Sequence, residues 1–188
     1  MRRKLIPVLL AAMAATAVLV WVRYTAIRDD FYGKRQAIQQ KWSQVEAALD
    51  RRADALPGLM EATGRFPVNS PLVQEFRRAR ADLAAARGPD RKVRANREIS
   101  QVLAKVLLHC DSDSRLRNSA AFRTLQESMA AYDDEIAHER FEYNDALEHY
   151  NAQLQRFPDN VAALIAGYAR DDAYFATGPD AAGGAGLH

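Results

Sequence analysis

The first 22 positions of the chain differ from the rest in how their apolar residues are spaced. Residues 5–22 form an unbroken run of 18 positions without a charged side chain. In a helix that rises about 1.5 Å per residue, this run extends roughly 27 Å, close to the roughly 30 Å hydrocarbon core of a bilayer. Trp21 and Tyr24 lie at its far end, where aromatic rings favour the membrane interface. The pattern predicts a transmembrane anchor at residues 5–23, after a basic flank at residues 1–4.

Beyond the anchor, apolar residues recur at steps of three and four, the period of helices with one buried face. Ser70 before Pro71 is typical of a helix N-terminus. The predicted helices span approximately residues 24–63, 70–87, 90–108 and 122–154, with a shorter apolar helix at 161–176. Residues 111–119 are polar and predict a loop. Long amphipathic helices joined by short loops favour an antiparallel up-and-down bundle. We therefore predict an all-α fold, with a bundle domain at 24–176 and a disordered tail at 177–188.

The charges around the anchor predict its orientation in the membrane. Three cations precede the run, which favours a cytoplasmic N-terminus by the positive-inside rule. Four cations soon after the run favour the opposite orientation. The preceding cations are Arg2, Arg3 and Lys4, and the following ones are Arg23, Arg28, Lys34 and Arg35. We expect a single-pass protein of the bacterial inner membrane with an extracytoplasmic C-terminal domain.

Two alternatives concern the same apolar run. Ala12-Met13-Ala14 provides a small-x-small site at which a signal peptidase would cleave an exported protein. The apolar run continues well past this site, which favours an uncleaved anchor. Ala11 and Ala15 also form a small-xxx-small face through which two copies would pair as a homo-oligomer. The alanine-rich composition of the run explains the same spacing.

Charge is distributed unevenly along the chain. Without the three N-terminal cations, the remaining residues carry 23 basic and 24 acidic side chains, a net charge of −1. This balance argues against a nucleic-acid partner, because such proteins need a cationic surface. Residues 77–105 have a net charge of +6, from nine basic and three acidic side chains, and residues 127–159 one of −7, from two basic and nine acidic. We expect these segments to lie side by side and neutralise each other, although each could instead face an outside partner.

Polar residues interrupt the apolar stripes of the first and last long helices. Arg51, Arg52 and Asp54 do so in the first, and Asn144 and Asn151 in the last. A hydrogen-bonded network between these helices would fix their register, because buried polar groups require partners. The alternative is a ligand pocket.

A stripe of potential metal ligands lies on the last long helix. His138, Glu142, Asp145 and His149 recur at steps of four, three and four, and Glu135 forms a Glu-x-x-His motif with His138. Di-iron sites in helical bundles use this motif in pairs, and here it occurs once. We favour a solvated acidic face and assign no metal or cofactor site; a metal-binding bundle protein is the second function considered.

Nothing in the sequence points to catalysis. Cys110 is the single cysteine, which excludes an intrachain disulfide and a cysteine-based zinc site. The neighbouring Asp111 and Asp113 disfavour a reactive thiolate. Glycine-rich phosphate loops and nucleophile-elbow motifs are absent from the sequence. We expect the protein not to be an enzyme.

Motifs at both ends of the predicted bundle resemble those of LemA proteins. These are Lys41-Trp42-Ser43-Gln44-Val45, Leu49-Asp50-Arg51-Arg52-Ala53-Asp54-Ala55-Leu56-Pro57-Gly58-Leu59, Tyr143-Asn144-Asp145-Ala146, Tyr150-Asn151 and Phe157-Pro158-Asp159-Asn160. The resemblance implies a short N-terminal anchor and an up-and-down helical bundle, and it implies no defined biochemical activity. We expect a scaffold or adaptor that contacts lipid through residues 5–22 and binds other proteins at the membrane.

Overall fold

The computed structural model describes residues 2–64, 66–67 and 69–173, with only the backbone of residues 2–5 and 62. The predicted tail at 177–188 lies outside the described residues, as do the last positions of the predicted bundle domain. Every regular element among the described residues is an α-helix. The all-α prediction is therefore confirmed.

The first helix, α1, spans Arg2–Ala62 and contains 61 residues. It runs without interruption through the boundary predicted between the anchor and the bundle domain. The expected end near residue 63 is confirmed, since the Gly64 N–H donates to the carbonyl of Glu61 at 2.8 Å. One helix therefore carries both the apolar run and the first amphipathic stripe.

Five more helices follow α1. They are α2 (Pro71–Ala85), α3 (Pro89–Ser112), α4 (Ser114–Arg117), α5 (Ala120–Gln153) and α6 (Asp159–Ala166). The predicted start of α2 is confirmed, because the Ser70 hydroxyl accepts from the backbone N–H of Val73 at 3.2 Å and Pro71 occupies the first turn.

Two predicted elements differ from the structure. The polar stretch at 111–119 is partly helical, since α3 continues to Ser112 and the short α4 follows. Buried Cys110 and Leu116 extend the apolar stripe into this stretch, and the Asp113 carboxylate caps α4 by accepting from the Arg115 N–H at 2.9 Å. The last helix ends at Ala166 instead of residue 176. Gly167 there adopts φ 77°, a left-handed conformation that terminates helices and that L side chains rarely adopt.

The described residues form two compact units. The first comprises residues 1–39 and 146–172. Its core contains Ile27 and Phe31 from α1, Leu147 and Tyr150 from α5, and Ala163 from α6. The Phe31 ring packs edge-on against Tyr150 with 5.7 Å between centroids, and Tyr168 stacks on it at 5.3 Å.

The second unit comprises the described residues of 40–145 together with Ala173. Side-chain pairs show that α1 and α5 are antiparallel within it, because Lys41 meets Glu142 whereas Arg52 meets Asp133. The α2 and α3 helices are joined by residues 86–88, a connection short enough to make them antiparallel neighbours. The core is built from one apolar stripe of each long helix. Its largest fully buried side chains are Val45, Leu49, Leu56, Leu83, Ile99, Val106, Cys110 and Leu125.

Candidate functional site

A buried arginine joins three helices of the second unit. Arg52 of α1 is 4% exposed, and its guanidinium donates to the Asn96 Oδ1 at 3.3 Å and the Ser100 Oγ at 3.2 Å on α3. It also forms an ion pair with Asp133 of α5 at 3.4 Å. Burial lowers the pKa of Arg52 from its ordinary value, and the charge of Asp133 partly offsets this effect. The guanidinium is almost inaccessible to a ligand, and its bonds go to neighbouring helices. These contacts favour the structural network over a ligand pocket.

The α3 partners of Arg52 belong to a polar stripe that the sequence analysis did not identify. Lys92, Asn96 and Ser100 recur every four residues on α3, so they lie on one face. Lys92 is also buried, and its ammonium group pairs with Asp50 of α1 at 3.4 Å. The four-residue spacing was visible in the sequence and is the signal that would have identified these residues.

Five ion pairs in the second unit join α1 to its neighbouring helices. The basic residues of α1 pair with α5, whereas its acidic residues pair with α2 and α3. The pairs are Lys41–Glu142, Arg51–Glu135, Arg52–Asp133, Asp54–Arg80 and Asp50–Lys92. The expectation that residues 77–105 and 127–159 neutralise each other directly is therefore wrong for these pairs. Net charges of segments do not reveal this arrangement, because α1 carries basic and acidic residues that pair with different helices.

Tyrosine and asparagine side chains of α5 bind the segment after α6. In the first unit, the Tyr150 hydroxyl donates to the carbonyl of Ala169 at 3.0 Å. The Asn151 amide donates to the Asp171 carbonyl at 2.6 Å and accepts from the Asp171 N–H at 3.0 Å. The sequence analysis expected the partners of Asn151 on the first long helix and did not foresee Asp171. An asparagine amide has the same donor and acceptor as a peptide group, which lets it pair with an irregular backbone segment.

In the second unit, the Tyr143 hydroxyl donates to the Ala173 carbonyl at 3.0 Å. The Tyr143 ring also packs edge-on against Trp42 with 5.5 Å between centroids. Tyr143 thus combines an apolar ring inside the core with a hydroxyl that satisfies a backbone carbonyl.

The predicted acidic stripe on α5 contains an ion pair with α1. The Lys41 ammonium donates to the Glu142 carboxylate at 2.9 Å. This hydrogen bond raises the pKa of Lys41 and lowers that of Glu142 from their ordinary values. His138, Asp145 and His149 are exposed. Among the side chains that the structure describes, no three His, Cys, Asp or Glu residues come close enough to hold a metal ion. The geometry gives the metal-binding alternative no support.

The single thiol is an unfavourable nucleophile. Cys110 is buried, and burial together with the charge of Asp113 raises its pKa from the ordinary value. A raised pKa keeps the thiol protonated near neutral pH, whereas the thiolate is the reactive form.

The first unit contains an apolar groove of about 590 Å³ between α1 and α6. Its lining includes Leu19, Val20 and Ile27 of α1 together with Phe157, Val161 and Ile165 around α6. Leu19 and Val20 belong to the apolar run predicted to be the anchor. The groove was not foreseen, because the sequence does not show that α6 packs against this part of α1.

We predict that Arg52→Leu destabilises the protein by about 1–3 kcal/mol, because it removes two hydrogen bonds from a charged donor and leaves Asn96 and Ser100 without that partner. Asp133→Asn is the matched control. Since the Asp133 side chain is 58% exposed, its ion pair contributes less than about 1 kcal/mol. Chemical denaturation of the full chain in detergent micelles measures both changes. Equal stability of the Arg52→Leu variant and the parent would contradict the network.

We predict that Lys41→Met raises the pKa of Glu142 toward its ordinary value of 4.5. The folded-state pKa of Glu142 is depressed, so the pair stabilises the fold above the unfolded-state pKa and this contribution is lost as the pH falls through the folded-state value. An NMR titration of the Glu142 carboxyl group in the full chain measures the shift. Lys105 pairs with Glu75 and serves as the control, so Lys105→Met should leave the pKa of Glu142 unchanged. A Glu142 pKa that does not respond to Lys41→Met would show that the pair is not formed.

A comparison with protein-family models assigns the chain to a known family. The model of the LemA family matches residues 41–183, which cover most of the chain. A search of curated proteins found no match to the chain. The matched range contains the Arg52 network, the Lys41–Glu142 pair and the tyrosines that bind the segment after α6. Because this match covers most of the chain, the protein belongs to the LemA family.

Proposed function

We propose that this protein is a membrane-anchored helical scaffold or adaptor, which holds its helical domain beside a bacterial inner membrane and binds other proteins there. The observation that carries the proposal is the exposure of the apolar run. Among the described residues, one helix is long and apolar enough to cross a membrane, with a window of 18 residues that is 0% buried. Family membership supports no particular chemistry, and the proposal assigns binding and not catalysis.

The exposed run has the properties of a lipid-facing surface. Its large apolar side chains from Ile6 to Val22 are 55–70% exposed. In water, such a continuous apolar surface would be unfavourable by about 25 cal/mol per Å². Within a bilayer the same surface is solvated by acyl chains, and the helix satisfies its own backbone groups. These considerations support residues 5–22 as the lipid contact.

The orientation remains part of the proposal. Arg2, Arg3 and Lys4 favour a cytoplasmic N-terminus, which places the rest of the chain outside the cytoplasm. An extracytoplasmic domain would meet proteins of the same compartment or domains of other membrane proteins.

Exposed apolar side chains outside the anchor suggest where partners could bind. Tyr32 in the first unit is exposed, as are Leu108 and Phe141 in the second. Single exposed apolar residues are common on protein surfaces, and aromatic residues among them are enriched at interfaces. These three positions are therefore suitable sites for probes of partner contacts.

We predict that the double substitution Leu10→Arg/Val18→Arg releases the protein from membranes on alkaline carbonate extraction. Each arginine near the centre of a membrane helix opposes insertion by about 2.5–3.5 kcal/mol. The parent and the matched Leu10→Met/Val18→Ile variant should stay in the membrane pellet. Release of the parent would contradict the anchor, and so would a mature N-terminus that begins after Ala14.

We predict that photo-crosslinking amino acids at Tyr32, Leu108 or Phe141 yield adducts with other proteins in intact cells, and mass spectrometry of the adducts identifies them. Ala137 is exposed on α5 and serves as the control position, where we expect no discrete adduct. Adducts only with a second copy of the chain would indicate a homo-oligomer. Absence of adducts at all three positions, with the protein still in the membrane fraction, would contradict the adaptor proposal.

A further inference from the structure

Helix α6 is apolar on both its buried and its exposed faces. Ala162 and Ala163 are buried in the first unit, whereas Val161, Leu164 and Ile165 are 47%, 80% and 68% exposed. Phe157, just before the helix, is 83% exposed. Beyond Asp159 and Asn160 in its first turn, α6 is apolar all round, a pattern expected inside a protein core or in contact with lipid. The exposed face of α6 therefore needs an apolar environment.

The exposed apolar residues of the described chain are concentrated at α6. Seven large apolar side chains outside the run at 6–22 are exposed, and four of them lie within residues 157–165. The steps of three and four between Val161, Leu164 and Ile165 place these three on one helical face. A cluster of this kind marks an interaction surface, whereas single exposed residues need no explanation.

The apolar groove makes this surface continuous with the anchor. Its α6 side is formed by Phe157, Val161 and Ile165, and its α1 side includes Leu19 and Val20. Leu19 precedes the end of the apolar run at Val22 by three residues, which corresponds to roughly 4.5 Å along the helix axis. The groove thus overlaps the last turn of the segment proposed to lie in lipid.

We propose that α6 is an interfacial helix, whose residues Phe157, Val161, Leu164 and Ile165 enter the bilayer at the boundary between headgroups and acyl chains, beside the anchor. This inference rests on the proposed anchor. Interfacial helices bury an apolar face about 5–10 Å into this boundary, and the groove's overlap with the last turn of the run places α6 at the level of that boundary.

Contacts within the first unit hold α6 in place for this role. The Tyr168 N–H donates to the Ala163 carbonyl at 2.9 Å, which closes the C-terminus of α6. The Tyr168 ring stacks on Phe31, and its hydroxyl donates to the Arg28 carbonyl at 3.2 Å. Because these contacts already fix the orientation of α6, docking on the membrane would cost little further ordering of the helix.

The groove's continuity with the anchor favours lipid over a protein as its occupant. Side chains of the anchor form one wall of the groove, and acyl chains already surround those side chains in a spanning helix. Trp21, Tyr24 and Arg23 lie at the same level, where aromatic rings and cations with long side chains favour the headgroup region. A protein partner would have to displace lipid from this wall.

The test uses nitroxide labels on the full chain, reconstituted in vesicles of phosphatidylcholine and phosphatidylglycerol. A Cys110→Ala background removes the native thiol, with its helicity checked by circular dichroism. Single cysteines then replace Leu164 on α6, Leu9 within the anchor, and Ala37, an exposed position on α1 roughly 22 Å beyond Val22. Collisions with oxygen report contact with lipid, and collisions with a nickel chelate report contact with water.

We expect the label at residue 164 to collide with the nickel chelate at least about tenfold less often than the label at residue 37. The reason is that transfer of the other exposed apolar side chains of α6 from water to lipid favours the docked state by about tenfold or more. The label at residue 9 should also report lipid. Ile165→Asp should return the label at residue 164 to water, whereas Ile165→Leu should not.

Three results would overturn the inference. Lipid contact at residue 9 with water contact at residue 164 would leave the anchor intact and show that α6 does not dock. Shielding of residue 164 from both oxygen and the nickel chelate would indicate that a protein or a second copy covers the exposed face of α6. Water contact at residue 9 would refute the anchor and, with it, the docking of α6.

Discussion

The structure depends on one helix that carries two different apolar surfaces. Helix α1 is apolar on all sides at residues 5–22, and from Ile27 onward its buried apolar side chains lie on one face that packs against protein. The second pattern is stabilised by packing against other helices, whereas the first fits the lipid contact proposed for it. Because no break separates them, the protein-facing stripe of α1 directly continues the segment proposed to span the membrane.

Within the second unit, polar contacts specify which helices face each other. The Arg52 guanidinium reaches α3 and α5, and α1 pairs its acids with one side and its bases with the other. Removing one partner of such a contact leaves the other partner unsatisfied, so the helix pairing that satisfies all of these groups is favoured over pairings that do not. The apolar stripes, which resemble one another on every helix, could not select partners in this way.

Two tyrosines of the family motifs link α5 to the segment that follows α6. The hydroxyl of Tyr150 in the first unit and that of Tyr143 in the second satisfy backbone carbonyls of the segment after α6. An irregular segment needs such partners, because its own backbone groups do not form a ladder. In the first unit these contacts fix the segment that follows α6. They therefore support the proposed placement of α6 at the membrane.

The sequence by itself determined the helical class, the limits of α1, α2 and α5 to within a few residues, and the apolar run, because helical period and caps are local properties. It also identified Arg52 as a polar interruption. The tertiary structure decided its partners Asn96 and Ser100, the pairing of α1 with helices on both sides, and the groove between α1 and α6. Those contacts join residues far apart in sequence, and local spacing carries no information about which faces meet. The end of α6 at Gly167 was also missed, because apolar residues recur as far as Ala176 whereas the backbone conformation of a single glycine ends the helix.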